Sequence, residues 1–290
     1  MPFEIYTSLP HSRTPSQTIQ ALSKFTTQYS TATSFVPNGV CTQEEKRVFV
    51  EQLLRGLSSN LEERRNAGTG GSGDSSGSEE EEATRLTLES LRILCRESLS
   101  CSQVYSSSGI SLLLSHSTLP LTPSPSPSSS SPTQATFKPD SQVTIESLKV
   151  LSNCLLQNPQ SRRCFEELGG VEGVVGGLGL DPTKLNLTTQ FLLLRLLFLT
   201  TVDNKHTVAK LVEALGVVDV IEKIIKKHTP KPIEPGPFTP QTVLSEALKL
   251  VFNLMHDKAP SSKIGGGLFG GAVTYTDADE EVVEGVKPFS

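Results

Sequence analysis

Four times along the chain one short apolar pattern recurs with a basic residue at a fixed place inside it. Thr87–Arg96 (TLESLRILCR) aligns with Thr144–Asn153 (TIESLKVLSN), and Phe191–Leu199 (FLLLRLLFL) and Leu244–Asn253 (LSEALKLVFN) follow in the same register. In that register Leu91, Leu148, Leu194 and Leu248 are equivalent, as are Leu94, Leu151, Leu197 and Val251. Residues three apart share a helix face, so each copy predicts an α-helix with one buried stripe. The anchors are separated by 57, 46 and 54 residues; the first interval holds a Ser/Pro-rich insert and the third a proline-rich break. The uninterrupted spacing lies within the roughly 40–47 residues of HEAT and armadillo units.

A second element supports the repeat. Gly170 stands 21 residues after Lys149 and Gly216 stands 21 after Arg195, each opening an apolar run, with Gly109 somewhat closer in the first copy. A glycine there suits a helix C-cap or a tight interhelical turn, so each unit reads as helix, turn, helix. Thr42–Leu61 predicts an upstream helix with Val48, Leu53, Leu54 and Leu57 on its apolar face and Thr42/Glu45 as a capping box. No period-2 pattern persists in the apolar segments. The expected fold is all-α, an armadillo/HEAT-like α-solenoid with long disordered loops over residues 1–260.

Three stretches lack the apolar content to offset the entropy of ordering and are expected to be loops or disorder: 66–82, 118–140 and the Gly-rich, acidic tail 261–290. Thr229–Pro240 carries five prolines, which forbid a continuous helix. The net charge of −5 is concentrated in two of these stretches; removing residues 68–82 and 277–290 leaves +4 on the remainder. A mildly acidic total therefore does not describe the repeat body. Residues 1–20 contain no apolar h-region, and the longest apolar run, Phe191–Leu199, is interrupted by Arg195, so neither a secretory signal nor a membrane span is expected. The five cysteines, Cys41, Cys95, Cys101, Cys154 and Cys164, show no CxxC spacing and suit a reducing cytosol as small hydrophobes.

The basic position is where chemistry is expected. Arg92, Lys149, Arg195 and Lys249 are equivalent, and four residues later come Arg96, Asn153, Leu199 and Asn253. Stacked units would align these side chains as a ladder in which Arg and Lys meet a carboxylate and Asn meets peptide backbone. One basic residue on an amphipathic helix is ordinarily solvated or snorkelling; four in one register favour a partner-binding face. For Asn153 and Asn253 the competing role is a cap or loop-ending one, and Phe198 and Phe252, also equivalent, are expected in the core. Gly265–Gly271 lacks the Lys-Ser/Thr and preceding strand of a phosphate loop, the five histidines lack ligand spacing, and no GxSxG or other catalytic set occurs. A non-enzymatic protein without cofactor, metal or nucleic acid is expected. Thr122, Ser124, Ser126 and Ser131 each precede proline and are candidate phosphorylation sites.

Residues 146–153, 158–163 and 167–171 together resemble an armadillo repeat whose usual tryptophan is Lys149 and whose asparagine is kept as Asn153. More specifically, Leu91–Arg96, Leu194–Leu199 and Glu246–Asn253, in that order, resemble the synembryn family over about Thr42 to His256. The resemblance implies a cytosolic armadillo-like guanine-nucleotide exchange factor and folding chaperone for heterotrimeric G-protein α subunits. Its concave surface would capture the Gα C-terminal helix, so that GDP escapes, and any recruitment to the plasma membrane would be peripheral, through Gα. Arg92 and Arg96 match the family's basic pair and Asn153 its repeat asparagine; Lys149, Arg195, Lys249 and Asn253 come from the ladder. Family members continue with further repeats, so an apolar face is expected at the C-terminal end of the stack. The competing reading is an armadillo-type peptide-binding scaffold or transport adaptor without exchange activity; the absence of tryptophan weighs against it.

Overall fold

Most of the described helices begin on a polar residue that caps them. In this computed structural model, which describes residues 14–67, 76–98, 100–120, 137–179, 185–229 and 236–256, Thr14 caps helix α1 (Pro15–Tyr29) in a capping box with Gln17. Thr42 and Glu45 form the expected box on α2 (Gln43–Ala67), Thr42 N–H donating to Glu45 Oε2 at 2.7 Å and Glu45 N–H to Thr42 Oγ1 at 3.2 Å. After α3 (Ser76–Leu94), Ser106 caps α4 (Ser107–Ser117), and α5 (Gln142–Gln157) leads to Asn158, which caps α6 (Pro159–Glu167). Following α7 (Gly170–Gly179), Asn186 caps α8 (Leu187–Thr201) and Asn204 caps α9 (Lys205–Ala209), which runs into a π-helical turn, Lys210–Ala214. The last two are α10 (Val217–His228) and α11 (Pro240–His256). Each cap supplies an oxygen to an N–H that the first turn leaves unpaired.

The helices stack in two rows. Helices α1, α3, α5, α8 and α11 follow one another in the first, with α2, α4, α6–α7 and α9–α10 packed against them. The fold is an all-α solenoid, and the repeated segments lie on consecutive helices of one row. The repeat unit is longer than a helix pair: in the second and third units the return leg is broken in two, at Gly169 (φ +77°) and at Gly216 (φ +57°). Gly216 is thus the turn glycine expected; in the preceding unit that role falls to Gly169. Gly170 is needed instead for closeness, since a Cβ there would lie 2.6 Å from the Phe165 ring.

Leu91, Leu94, Leu148, Leu151, Leu194 and Leu197 are each fully buried, a gain of about 1.5–3 kcal/mol apiece. Leu248 is not: it is 51% exposed, Phe252 is 67% and Met255 71%, whereas Val243, Ala247, Leu250 and Leu254 of the same helix are buried. The face that α8 covers on α5 has no such cover on α11 among the described residues. Phe252 is therefore not the core residue expected, while Phe198 is half-buried against the core. On α2, Leu53 and Leu57 are buried as expected, but Val48 and Leu54 only half so, and Phe49 and Val50 take the inner places.

Three sequence expectations need correction. The acid run Glu79–Glu82 belongs to α3 rather than to a loop, with Arg85 gripping Glu82 at 2.7 Å and Glu89 at 3.0 Å; acids in a first turn also complement the helix dipole. The ends of the 118–140 insert are packed: Leu119 is buried, Phe137 lies on the core, and Lys138 N–H donates to Thr118 Oγ1 at 3.2 Å. The remainder, 121–136, with Thr122, Ser124, Ser126 and Ser131, lies outside the described residues, as do 68–75, 230–235 and 257–290. Finally, α1 was not anticipated. It packs against α3, and a charge buried in α2 fixes the loop that follows it: Lys46, 0% exposed, donates to the Glu97 carboxylate at 3.1 Å and its carbonyl at 3.0 Å. Glu97 also accepts from the backbone N–H of Phe35 and Val36 in the α1–α2 loop.

Burial alone pushes the Glu97 carboxyl upward, but the Phe35 N–H, the Lys46 ammonium and the Val36 N–H together outweigh it and hold it below the usual range. A depressed carboxyl stabilises the fold above its unfolded value, and that stability is lost as pH falls through the folded one. Urea midpoints should drop on acidification below about pH 4.3, and Glu97→Gln should lower stability at pH 7 while flattening this dependence; an unchanged slope would contradict the assignment. In α4, a Cβ on Gly109 would lie 2.4 Å from the Gln103 carbonyl oxygen, whereas at Gly56 in α2 it would meet nothing within 4 Å. Gly109→Ala should cost about 1–3 kcal/mol and Gly56→Ala should gain about 0.5–1 kcal/mol, both read from urea unfolding.

Candidate functional site

Because α3, α5 and α8 are consecutive in one row, the residues that project from their repeated registers meet around a single cavity of about 390 Å³. It is lined by Arg92 from α3, Arg96 from the turn that follows it, Lys149, Ser152 and Asn153 from α5, Phe191, Leu192 and Arg195 from α8, and Phe238 from the segment before α11. Five of the seven expected partner-binding residues are thus brought together. Lys249 and Asn253, on α11, are not among the lining residues.

The ladder is not a row of bare cations. Glu146, 6% exposed, accepts from Arg92 Nε at 2.9 Å and from Lys149 Nζ at 2.7 Å. Glu89 takes a further contact from Arg92 at 3.2 Å. One hundred residues on, Glu246, 2% exposed, pairs with Lys249 at 2.7 Å and is approached by Arg195 at 3.8 Å. The signal is in the sequence as an acid three residues before the basic position in Glu89/Arg92, Glu146/Lys149 and Glu246/Lys249, a favourable i, i+3 pair. In the third repeat Leu192 takes the acid's place. Arg195 accordingly spends its Nε on Ser152 Oγ at 3.0 Å and lies 5.9 Å from the Phe191 ring centroid.

Arg96 has no carboxylate within ion-pair distance among the described residues. Its Nη1 donates to the carbonyls of Ser30 and Ala32, both at 2.8 Å, tying the pocket to the end of α1. Burial first, and then the neighbouring Arg92 charge, pull this guanidinium below its ordinary value; an arginine nonetheless stays protonated. Asn153 is neither cap nor loop end. Its Nδ2 donates to the Arg92 carbonyl at 3.2 Å, and that of Asn253 to Thr201 Oγ1 at 3.0 Å, each bracing one helix against its predecessor in the row.

The aromatic wall was not foreseen. Phe191 and Phe238 meet edge to face with ring centroids 5.2 Å apart, and the second comes from the proline-rich break. The pocket therefore offers guanidinium and amide donors beside an apolar surface, a combination that holds an anionic group attached to an apolar one. Its one hydroxyl, Ser152, is tied to Arg195 rather than to a base. Among the described residues no three or more His, Cys, Asp or Glu are grouped so as to hold a metal ion, and no helix is long and apolar enough to cross a membrane. The five cysteines are free and buried, and burial pushes the Cys41 thiol up to about 11, away from a reactive thiolate.

If Asn153 is a brace, Asn153→Ala should lower unfolding stability by about 0.5–1.5 kcal/mol. A urea midpoint equal to that of the parent chain would leave it a ligand contact alone.

A search of curated proteins finds no match. A family model described as guanine nucleotide exchange factor synembryn matches residues 87–281. That stretch contains Glu146, Glu246 and every residue that lines the pocket. On that extent of match, joined to an all-α repeat fold, the chain belongs to the synembryn family of guanine nucleotide exchange factors.

Proposed function

We propose that the chain binds the C-terminal helix of a heterotrimeric G-protein α subunit in the α3–α5–α8 pocket, promotes GDP release, and shields the folding intermediate of the same subunit as a chaperone. The observation that carries this reading is the pairing of two incompletely neutralised guanidiniums, Arg96 and Arg195, with the Phe191–Phe238 wall. A helix that ends in a carboxylate beside apolar side chains presents the complementary set. No bond is made or broken. The factor accelerates exchange by binding the open, nucleotide-poor Gα more tightly than the GDP-bound form, and each tenfold in rate requires about 1.4 kcal/mol of that preference. The free, buried cysteines suit a cytosolic location, with contact to the plasma membrane made peripherally through Gα.

A fluorescent GDP-release assay with purified Gα tests this. Arg96→Glu and Arg195→Glu should each reduce the acceleration by about tenfold or more, as expected when a charge faces a like charge in a partly desolvated site. Removing the last residues of Gα should abolish binding in a pull-down. Binding that ignores both changes contradicts the reading.

A further inference from the structure

We propose that Glu146 is the positioning and specificity residue of the pocket, a role that rests on the reading of this site as a carboxylate-binding one. Its side chain is 7% exposed and lies behind the lining residues, with one oxygen on Arg92 of α3 and the other on Lys149 of α5. A carboxylate shared in this way does two things. It fixes two flexible cations from successive helices in one geometry, and it subtracts one charge from a pocket that would otherwise present Arg92, Arg96, Lys149 and Arg195 together.

The consequence is a site whose remaining positive field is centred on Arg96 and Arg195. Among the described residues Arg96 donates to carbonyls alone, and Arg195 reaches its acid at 3.8 Å. Without Glu146, Lys149 would lose its acid and Arg92 would keep only Glu89, and cations so loosely paired would hold any polyanion, because attraction between exposed charges is long-ranged and indifferent to shape. With Glu146 held between Arg92 and Lys149, the same pocket favours a ligand that brings a single carboxylate. Specificity is a difference of affinities, and here part of it comes from weakening the wrong ligand.

Charge and geometry separate by substitution. Glu146→Gln keeps the size and one acceptor oxygen and removes the charge; Glu146→Asp keeps the charge and is one methylene too short to span both cations. Two probes are titrated into the full chain: a synthetic Gα C-terminal peptide with a free or amidated end, and poly-L-glutamate. Glu146→Gln should bind poly-L-glutamate about tenfold more tightly, with a steeper dependence on salt. Its preference for the free-carboxylate peptide over poly-L-glutamate should fall, since a polyanion engages more of the released cations than one carboxylate does. Glu146→Asp should bind poly-L-glutamate as weakly as the parent chain yet hold the peptide about tenfold less well. Parent-like poly-L-glutamate affinity in a folded Glu146→Gln overturns the proposal. Should that variant not fold, parent-like peptide affinity in Glu146→Asp overturns it. If the parent chain binds no Gα peptide at all, the proposed function falls, while the poly-L-glutamate comparison still decides the role of Glu146.

Discussion

Burying one side of each anchor helix against the next leaves no place for a charge at the seam except beside an opposite one. Glu146 and Glu246 occupy that place, at 6% and 2% exposure, each held by a lysine of its own helix and approached by an arginine of the preceding helix in the row. A carboxylate so placed would cost several kcal/mol if left alone, so the glutamates and the basic ladder require each other. The row of helices is thus joined by leucine stripes along its length and by shared carboxylates at the repeated register. The same device recurs at the amino-terminal end, where buried Lys46 and Glu97 tie α2 to the end of α3 and to the loop after α1.

The pocket follows from this construction. Where the acid is present, at Glu89 and Glu146, the neighbouring cations are fixed and largely neutralised; where Leu192 replaces it, Arg195 keeps most of its charge for whatever enters. Arg96, braced on two carbonyls of the α1–α2 connection, lines the same cavity. Membership of a guanine-nucleotide exchange family and a pocket of this kind fit together: a factor that works by preferential binding needs a preorganised surface for one feature of its partner, and fixed cations supply that without a reorganisation cost on binding.

Much of the fold was legible because it is carried by spacing. The leucines at 91, 148 and 194 define a helix face that the structure buries, and equal register places Arg92, Lys149 and Arg195 on successive helices. The failures have separate physical causes. Leu248 and Phe252 share the pattern but not the neighbour, and burial depends on what stands opposite a face as well as on the face itself. Glu79–Glu82 reads as the end of a Gly/Ser stretch, though acids are good first-turn residues and Arg85 follows at the right distance. The glutamates at 146 and 246 stood in plain view three places before each lysine; which side of the helix would be sealed was not written there. Phe238 carries no local signal at all, since only the return of the chain after the proline-rich break brings it to Phe191.

On the proposed function, a ligand carboxylate docks at Arg96 and Arg195 while the Glu146 clamp stays closed. A structure of the chain bound to a Gα C-terminal peptide measures this directly. A peptide carboxylate oxygen should lie within hydrogen-bond distance, about 2.7–2.9 Å, of the Arg96 or Arg195 guanidinium, with both Glu146 contacts retained. A peptide seated away from the α3–α5–α8 pocket, or one whose carboxylate displaces Glu146 from Arg92 and Lys149, would contradict it.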